Sequence, residues 1–326
     1  MVTAQLQSLV TLDEIRAAQQ TIDRVAVRTP LVRFSGQNNG AELYLKLESF
    51  QPIGSFKLRG AYNKIASLTS EERRRGVITY SSGNHAQGVA YAARAVGAKA
   101  IVVMPRTAPK VKVDSTRALG AEVEFVGPAS SERQARAEEL AARDGYCIIP
   151  PYNDEKIIAG QGTIALEILA DVPDVDLILA PIGGGGLISG IAAAVKQSRP
   201  QVRVIGVEPE LANDAQQSLR TGKRVVLSAE QTSKTLADGL RTQSVGELNF
   251  EHIRTYVDDV ITVSEDEIRQ AMRRLLLESR ILAEASGTVS AAACLFHRQQ
   301  LGSARRIAAV ISGGNAEPAL IREVLA

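Results

Sequence analysis

The sequence predicts an α/β fold made of two open parallel sheets. Between Val77 and Ile149, strand-like and helix-like segments alternate in units about 22 residues long, the pattern of parallel strands joined by helical crossovers. The same rhythm resumes after Pro150-Pro151, the sharpest punctuation in the chain. At 326 residues the chain is also long enough for two structural units.

Each element follows from local chemistry. Thr11-Leu-Asp-Glu14 is a capping box, and Ile15 and Ala18 continue one helical face behind it. Thr29-Pro30-Leu31-Val32 reads as extended, and Glu42 to Glu48 alternates apolar and polar residues as a half-buried strand does. Tyr62, Ile65 and Leu68 mark a helix opening at Lys57, and Thr69-Ser-Glu-Glu72 starts a shorter one that stops at Gly76. Strands are expected over Val77–Tyr80, Lys99–Met104, Ala121–Val126 and Tyr146–Ile149, with helices over 86–96, 108–119 and 130–142 between them. Beyond the proline pair, helix 158–170, strand Asp176–Pro181, helix 187–198 and strand Arg203–Glu208 repeat the style. The capping box Ser264-Glu-Asp-Glu267 opens a helix through Leu277, followed by helix 287–300 and strand Arg306–Ile311. Segment 209–262 is the least regular.

Composition removes several classes of function. Hydrophobic content of 45% and charged content of 23% are those of an ordinary globular protein. A net charge of only +2, with 4% aromatics and no tryptophan, argues against nucleic acid as a partner. Cys147 and Cys294 are too few for a disulfide framework, and three histidines do not suggest a zinc site. Met1 to Gln20 lacks the basic head and apolar core of a signal peptide, and no apolar run reaches the roughly 20 residues that cross a bilayer. The expectation is a cytoplasmic protein without a membrane partner.

Four turns at strand–helix junctions concentrate the chemistry. Gly183-Gly184-Gly185-Gly186, between a buried strand and a helix, lets backbone amides converge on an anion at a helix N-terminus, which suits a phosphate. The loop lacks the Lys-Ser/Thr ending of a nucleoside-triphosphate loop. It nearly matches a dinucleotide fingerprint, Gly184-x-Gly186-x-x-Ser189 with Glu208 about 20 residues on, so an NAD-dependent dehydrogenase is a reading from a different class. Ser81-Ser82-Gly83-Asn84-His85 offers a second anion site, suited to a carboxylate. Ser312-Gly313-Gly314-Asn315 is a third polar turn, and Gly54-Ser55-Phe56-Lys57-Leu58-Arg59-Gly60 contributes an amine. Ligands of open α/β sheets bind beyond strand C-termini. A phosphorylated cofactor, a second anion and a reactive amine together fit pyridoxal phosphate with an amino-acid substrate.

In these four motifs, running in order through nearly the whole chain, the sequence resembles the fold-type II pyridoxal-phosphate enzymes, of tryptophan synthase β-like architecture. Within them it is similar to the threonine/serine dehydratase and serine racemase branch. The resemblance implies that Lys57 forms a Schiff base with the cofactor aldehyde. It also implies that Gly183, Gly184, Gly185, Gly186 and Leu187 hold the phosphate, that Asn84 meets the ring hydroxyl, and that Ser312 faces the ring nitrogen. Ser81, Gly83, Asn84 and His85 match the loop for the substrate carboxylate, and Ser82 matches the racemase serine opposite the lysine. Glu208, the Ala212 carbonyl and Asp214 match a divalent-cation site, whose oxygen ligands suit Mg²⁺, Ca²⁺ or Mn²⁺. Arg133 falls near a position linked to recognition of the substrate side chain.

The implied activity is dehydration and deamination of a small hydroxy amino acid, L-threonine or L-serine, to a 2-oxo acid and ammonia. Serine racemisation and hydroxyaspartate dehydration are the near alternatives. Lys57, freed by the substrate amine, would take the α-proton, and the neutral Ser312 hydroxyl at the ring nitrogen would favour prompt elimination. The expected organisation is a large domain from residues 1–74 and 151–326, a small mobile domain from 75–150 inserted in it, and a homodimer.

Overall fold

The computed structural model describes residues 8–36, 40–81, 83–108, 110–127 and 130–326. Helix α1 (Leu12–Ile22) and strands β1 (Leu31–Arg33) and β2 (Glu42–Leu47) lead into α2 (Lys57–Ala66) and α3 (Ser70–Arg75). Then come β3 (Val77–Thr79), α4 (Asn84–Ala95), β4 (Ala100–Pro105), α5 (Lys110–Ala118), β5 (Glu122–Val126), α6 (Ser130–Asp144) and β6 (Cys147–Ile148). The second half runs α7 (Glu155–Asp171), β7 (Leu177–Pro181), α8 (Gly186–Ser198), β8 (Arg203–Pro209), α9 (Asp214–Thr221), α10 (Ala229–Thr232), α11 (Glu247–Tyr256) and β9 (Asp259–Val263). It closes with α12 (Glu265–Ser279), α13 (Ala285–Phe296), β10 (Arg306–Ile311) and α14 (Pro318–Leu325).

Two sheets result. The six-stranded sheet has the order β1-β2-β10-β7-β8-β9, and only its edge strand β1 runs antiparallel. The four-stranded sheet, β5-β4-β3-β6, is wholly parallel, and all its strands fall between residues 77 and 148. Side-chain alternation makes the large sheet two-sided. Ile178, Ala180, Val204, Ala308 and Val310 face a core shared with α7 and α8. Leu177, Leu179, Ile205, Ile307 and Ile311 face the opposite core, shared with α12 and α13. Helix α2 buries Leu58, Ala61 and Ile65 with β3, β4 and α4, and it also packs on α7, so it ties one sheet to the other.

The expected capping boxes at Thr11 and Ser264 form, and Thr69 with Glu72 makes a third. Helix α13 is shorter than its sequence pattern predicts. It starts after Glu284, and its end at Phe296 leaves the polar residues 297–300 in turns, because they offer no apolar face to bury. The irregular segment 209–262 contains α9, α10 and α11 and ends in the edge strand β9, whose Val260, Ile261 and Val263 are buried.

Candidate active site

Topology assembles the site. Strands β2, β10 and β7 are neighbours and parallel, so their C-terminal ends share one edge of the sheet. The segments leaving that edge are the Lys57 heptapeptide after β2, the turn from Ser312 after β10, and the tetraglycine loop after β7. Ser55 bridges Gly313, and the Phe56 N–H donates to the Ser312 carbonyl at 3.0 Å, which stitches the first two together.

Lys57 opens α2. Its Nζ donates to the Pro151 carbonyl at 2.8 Å and lies 5.2 Å from the centre of the Phe56 ring. Burial of the amine away from water pushes its pKa down to about 8. A lysine in that state gives up its proton more readily than an exposed one, and both imine formation and proton abstraction require the neutral amine.

The tetraglycine loop owes its shape to close approach. A Cβ on Gly184 would lie 2.1 Å from the Tyr152 ring, and Gly185 adopts a left-handed φ of +93° at the N-cap of α8. Glycine at this N-cap gives no side-chain acceptor, so the first-turn amides of Gly186 and Leu187 are left for an outside anion. Asn249 packs beside Gly185, and its Oδ1 is buried without a hydrogen-bond partner. Ser55 Oγ, within the Lys57 heptapeptide, is also buried and unpartnered. Unsatisfied buried polar atoms beside a glycine cradle and a desolvated amine fit a bound phosphorylated aldehyde.

The second anion loop sits after β3, at the start of α4. Gly83 is the N-cap, again with no capping side chain, and Ser81 Oγ accepts from the Gly83 amide at 3.3 Å. Ser82, the residue expected opposite the lysine, lies outside the described residues. His85 is buried with its Nε2 3.0 Å from the Ile149 carbonyl. Burial, reinforced by the nearby Lys57 charge, pushes its pKa down to about 3, so the ring is neutral and Nε2 carries the proton it donates. What His85 can offer a carboxylate is therefore its first-turn amide, not its ring. The Asn84 side chain is held from both sides: Nδ2 donates to Glu284 Oε1 at 2.6 Å, and Oδ1 accepts from Asn315 Nδ2 at 2.8 Å. Ser312 is nearly buried next to this group.

Glu208 is near the C-terminal end of β8, and Asp214 begins α9. Glu208 accepts from the Ala215 and Gln216 amides at 3.0 and 2.8 Å, capping α9. Asp214 Oδ2 accepts from the Val245 amide at 2.8 Å, while Oδ1 is buried without a partner. Burial and the Asp214 charge raise the Glu208 pKa well above the usual carboxylate range, and burial raises Asp214 to about 7. No group of three or more histidine, cysteine or acidic side chains able to hold a metal occurs among the described residues. An unpartnered oxygen in a buried carboxylate pair, with the buried Ala212 on the intervening turn, nevertheless fits a hard cation. A Glu208 tied to helix amides is not free for a ribose, which removes the footing of the dinucleotide reading.

Three features had no signal in the sequence. Tyr152 covers the glycine loop. Glu284, buried before α13, contacts Asn84. Beneath the site, Arg59 lies between Glu48 and Glu167, with Lys46 on Glu167 at 2.6 Å, all four nearly or fully buried. Only proximity to Lys57 could have singled out Arg59.

A buried lysine and a tetraglycine loop at one edge of this two-sheet fold define a class, and comparison with known proteins agrees. Residues 22–313 match the family of pyridoxal-phosphate dependent enzymes, and the chain belongs to that family. More particularly, it is 44% identical to the L-threonine ammonia-lyase of Thermotoga maritima over 97% of this chain and 78% of that one. It is 40% identical to the serine racemase of Schizosaccharomyces pombe over 95% of both chains. Among solved structures, maize serine racemase superposes with a TM-score of 0.93 at 36% identity, covering 98% of this chain and 97% of that one.

Proposed function

We propose that the protein eliminates water from L-threonine or L-serine and that hydrolysis of the resulting enamine, as its imine tautomer, takes one water back to leave a 2-oxo acid and ammonia, with Lys57 as the attachment point of pyridoxal phosphate and as the base. The carrying observation is the buried Lys57 amine, which donates to the Pro151 carbonyl next to Tyr152, the ring packed on Gly184, and whose charge reaches His85 at the start of α4. Similarity to a threonine ammonia-lyase and a serine racemase supports the same choice. When bound, the cofactor supplies an aldehyde for amines and a conjugated ring that delocalises the electron pair left by the α-proton.

The chain's own residues do the rest. Amides of Gly183 to Gly186 and Leu187 bind the phosphate, Asn84 meets the ring hydroxyl, and Ser312 offers a neutral hydroxyl to the ring nitrogen. Ser81 and Gly83, ahead of α4, and the first-turn amides of Asn84 and His85 receive the substrate carboxylate, which fixes the Cα–H bond toward Lys57. The Pro151 carbonyl orients the Lys57 amine through one N–H and leaves its lone pair for the α-proton. Residues 75–150 act as a small domain that closes on the substrate and excludes water. Ser82 is the group that would return a proton from the opposite face and so permit racemisation.

A second substrate reading rests on Arg133. Its Nε is buried without a partner, burial lowers its pKa, and α6 begins at the same edge of the small sheet as the Asn84 loop. An unpaired guanidinium there suits a substrate with a second carboxylate, such as 3-hydroxyaspartate.

Mg²⁺ or a similar cation between Glu208, the Ala212 carbonyl and Asp214, a homodimer and a cytoplasmic location complete the reading. Two free cysteines suit a reducing compartment. Phe50 and Leu282, large apolar residues 56% and 42% exposed, suit a face for a second copy.

The test is the purified enzyme against a panel of hydroxy amino acids, with 2-oxo acid assayed and D-serine sought by chiral chromatography. Lys57→Ala should lose the visible band of the lysine-bound cofactor and at least about 10³-fold in turnover. A colourless protein that binds NAD, or a variant that keeps its rate, would overturn the proposal.

A further inference from the structure

Glu284 has no role in the reaction described above, yet it is a buried acid touching one of the assigned cofactor contacts. It is the N-cap residue of α13 but does not cap its own helix. Instead its carboxylate takes the Asn84 N–H, at the start of α4, at 2.6 Å. The amide orientations are fixed by elimination. Asn315 Nδ2 donates to the Ile53 carbonyl at 2.9 Å, and a carbonyl can only accept. The same nitrogen donates to Asn84 at 2.8 Å, so the Asn84 atom facing it is Oδ1 and the atom facing Glu284 is Nδ2. One Nδ2 hydrogen and one Oδ1 lone pair of Asn84 then remain for a ligand.

We infer that Glu284 is a positioning residue: it orients the Asn84 carboxamide toward the cofactor ring hydroxyl and couples the α4 segment to the large sheet. This rests on the reading of Asn84 given above. Residues from three distant parts of the chain meet here, so the carboxamide cannot turn over without breaking a bond to Glu284 or to Asn315. The groups around the carboxyl are Asn84 on α4, the Gly313 backbone and the donating Asn315 backbone amide after β10, Asp238 on the turn before residue 240, and Lys112 on α5. Lys112 is itself paired with Asp238 at 2.6 Å and lies 3.8 Å from Glu317. Burial, with the Asp238 charge added, raises the Glu284 carboxyl to about 7, against the Asn84 bond, the Lys112 charge and the bond from the Asn315 backbone amide. The charged form, which makes the stronger bond to Asn84, therefore gives way to the neutral form just below neutrality.

The test measures cofactor dissociation from the holoenzyme, by loss of its visible band on dilution, between pH 6 and 8. Glu284→Ala should weaken cofactor binding by about tenfold or more, the scale of a hydrogen bond to a charged group. Glu284→Gln keeps an acceptor for Asn84, so it should recover most of the affinity at pH 6. It should also lose the part of the pH dependence that wild type shows near pH 7. Asn84→Ala should weaken binding similarly, and the Asn84→Ala/Glu284→Ala double variant should be little worse than either single one. If Asn84→Ala leaves affinity unchanged, the role given to Asn84 fails. If Asn84→Ala weakens binding but the two Glu284 variants hold the cofactor within about twofold of wild type, or the double variant is additive, the Glu284 proposal fails. Should Glu284→Ala not fold, Glu284→Gln decides alone: a pH profile superimposable on wild type overturns the inference.

Discussion

Arg59→Met puts the buried charge cluster to a quantitative test. Arg59 donates to Glu48 at 2.8 Å through both Nε and Nη2, to Glu167 at 2.7 and 3.0 Å, and to Thr163 and the Val27 carbonyl at 3.2 Å. Burial alone would raise the Glu48 carboxyl, but the Arg59 charge and hydrogen bonds, helped by Thr29, hold it below its ordinary value. Methionine fills similar space without charge, and Lys46 stays on Glu167, so Glu48 becomes the unpaired ion. Breaking a buried pair this way costs about 3–5 kcal/mol. The cost has a ceiling, because Glu48 can escape it by taking a proton. From its ordinary value of 4.5, that escape costs about 4 kcal/mol at pH 7.5 and only about 1.4 kcal/mol at pH 5.5, at 1.36 kcal/mol per unit. The expected loss, from urea denaturation midpoints, is therefore about 3–4 kcal/mol at pH 7.5, shrinking to about 1–2 kcal/mol at pH 5.5. Adding Glu48→Gln to Arg59→Met should return part of the loss. A penalty below about 1 kcal/mol, or one that does not change with pH, would refute the argument.

Two further outcomes are expected. Gly190→Ala should destabilise by about 1–3 kcal/mol despite alanine's better helix propensity of about 1 kcal/mol, because its Cβ would meet the Ile158 carbonyl at 2.3 Å and the Gly162 amide nitrogen at 2.5 Å; an unchanged denaturation midpoint would show that α7 and α8 can separate freely. Mg²⁺ should raise the thermal midpoint of the wild type but not of Asp214→Asn. The Asp214 carboxyl sits above its ordinary value, so the folded state holds the extra proton and loses stability as pH climbs from about 4 to about 7. The Mg²⁺ effect should grow over that window, and equal stabilisation of both proteins would remove the cation from this site.

The sequence alone carried the α/β architecture, the capping boxes at Thr11 and Ser264, and the four turns around Lys57, Ser81, Gly183 and Ser312. Each is a contiguous segment at a strand–helix junction, where residue type is set by local need: a glycine for a left-handed φ, or a hydroxyl for a cap. It was less informative where local pattern is weak. The β-branched β9 lay in a segment without clear periodicity, and the polar end of the Ala285 helix looked helical because its neighbours were. What only the tertiary structure decided are the long-range partners. Tyr152 meets Gly184, Arg59 meets Glu167, and Asn84 is held between Glu284 and Asn315, residues about 200 or more positions away. The physical reason is that a buried charge or carboxamide is defined by what satisfies it. Along the chain Glu284 is an ordinary acid ahead of an alanine-rich helix, and it acquires a raised pKa and a partner only when β10, α4 and α13 fold against one another.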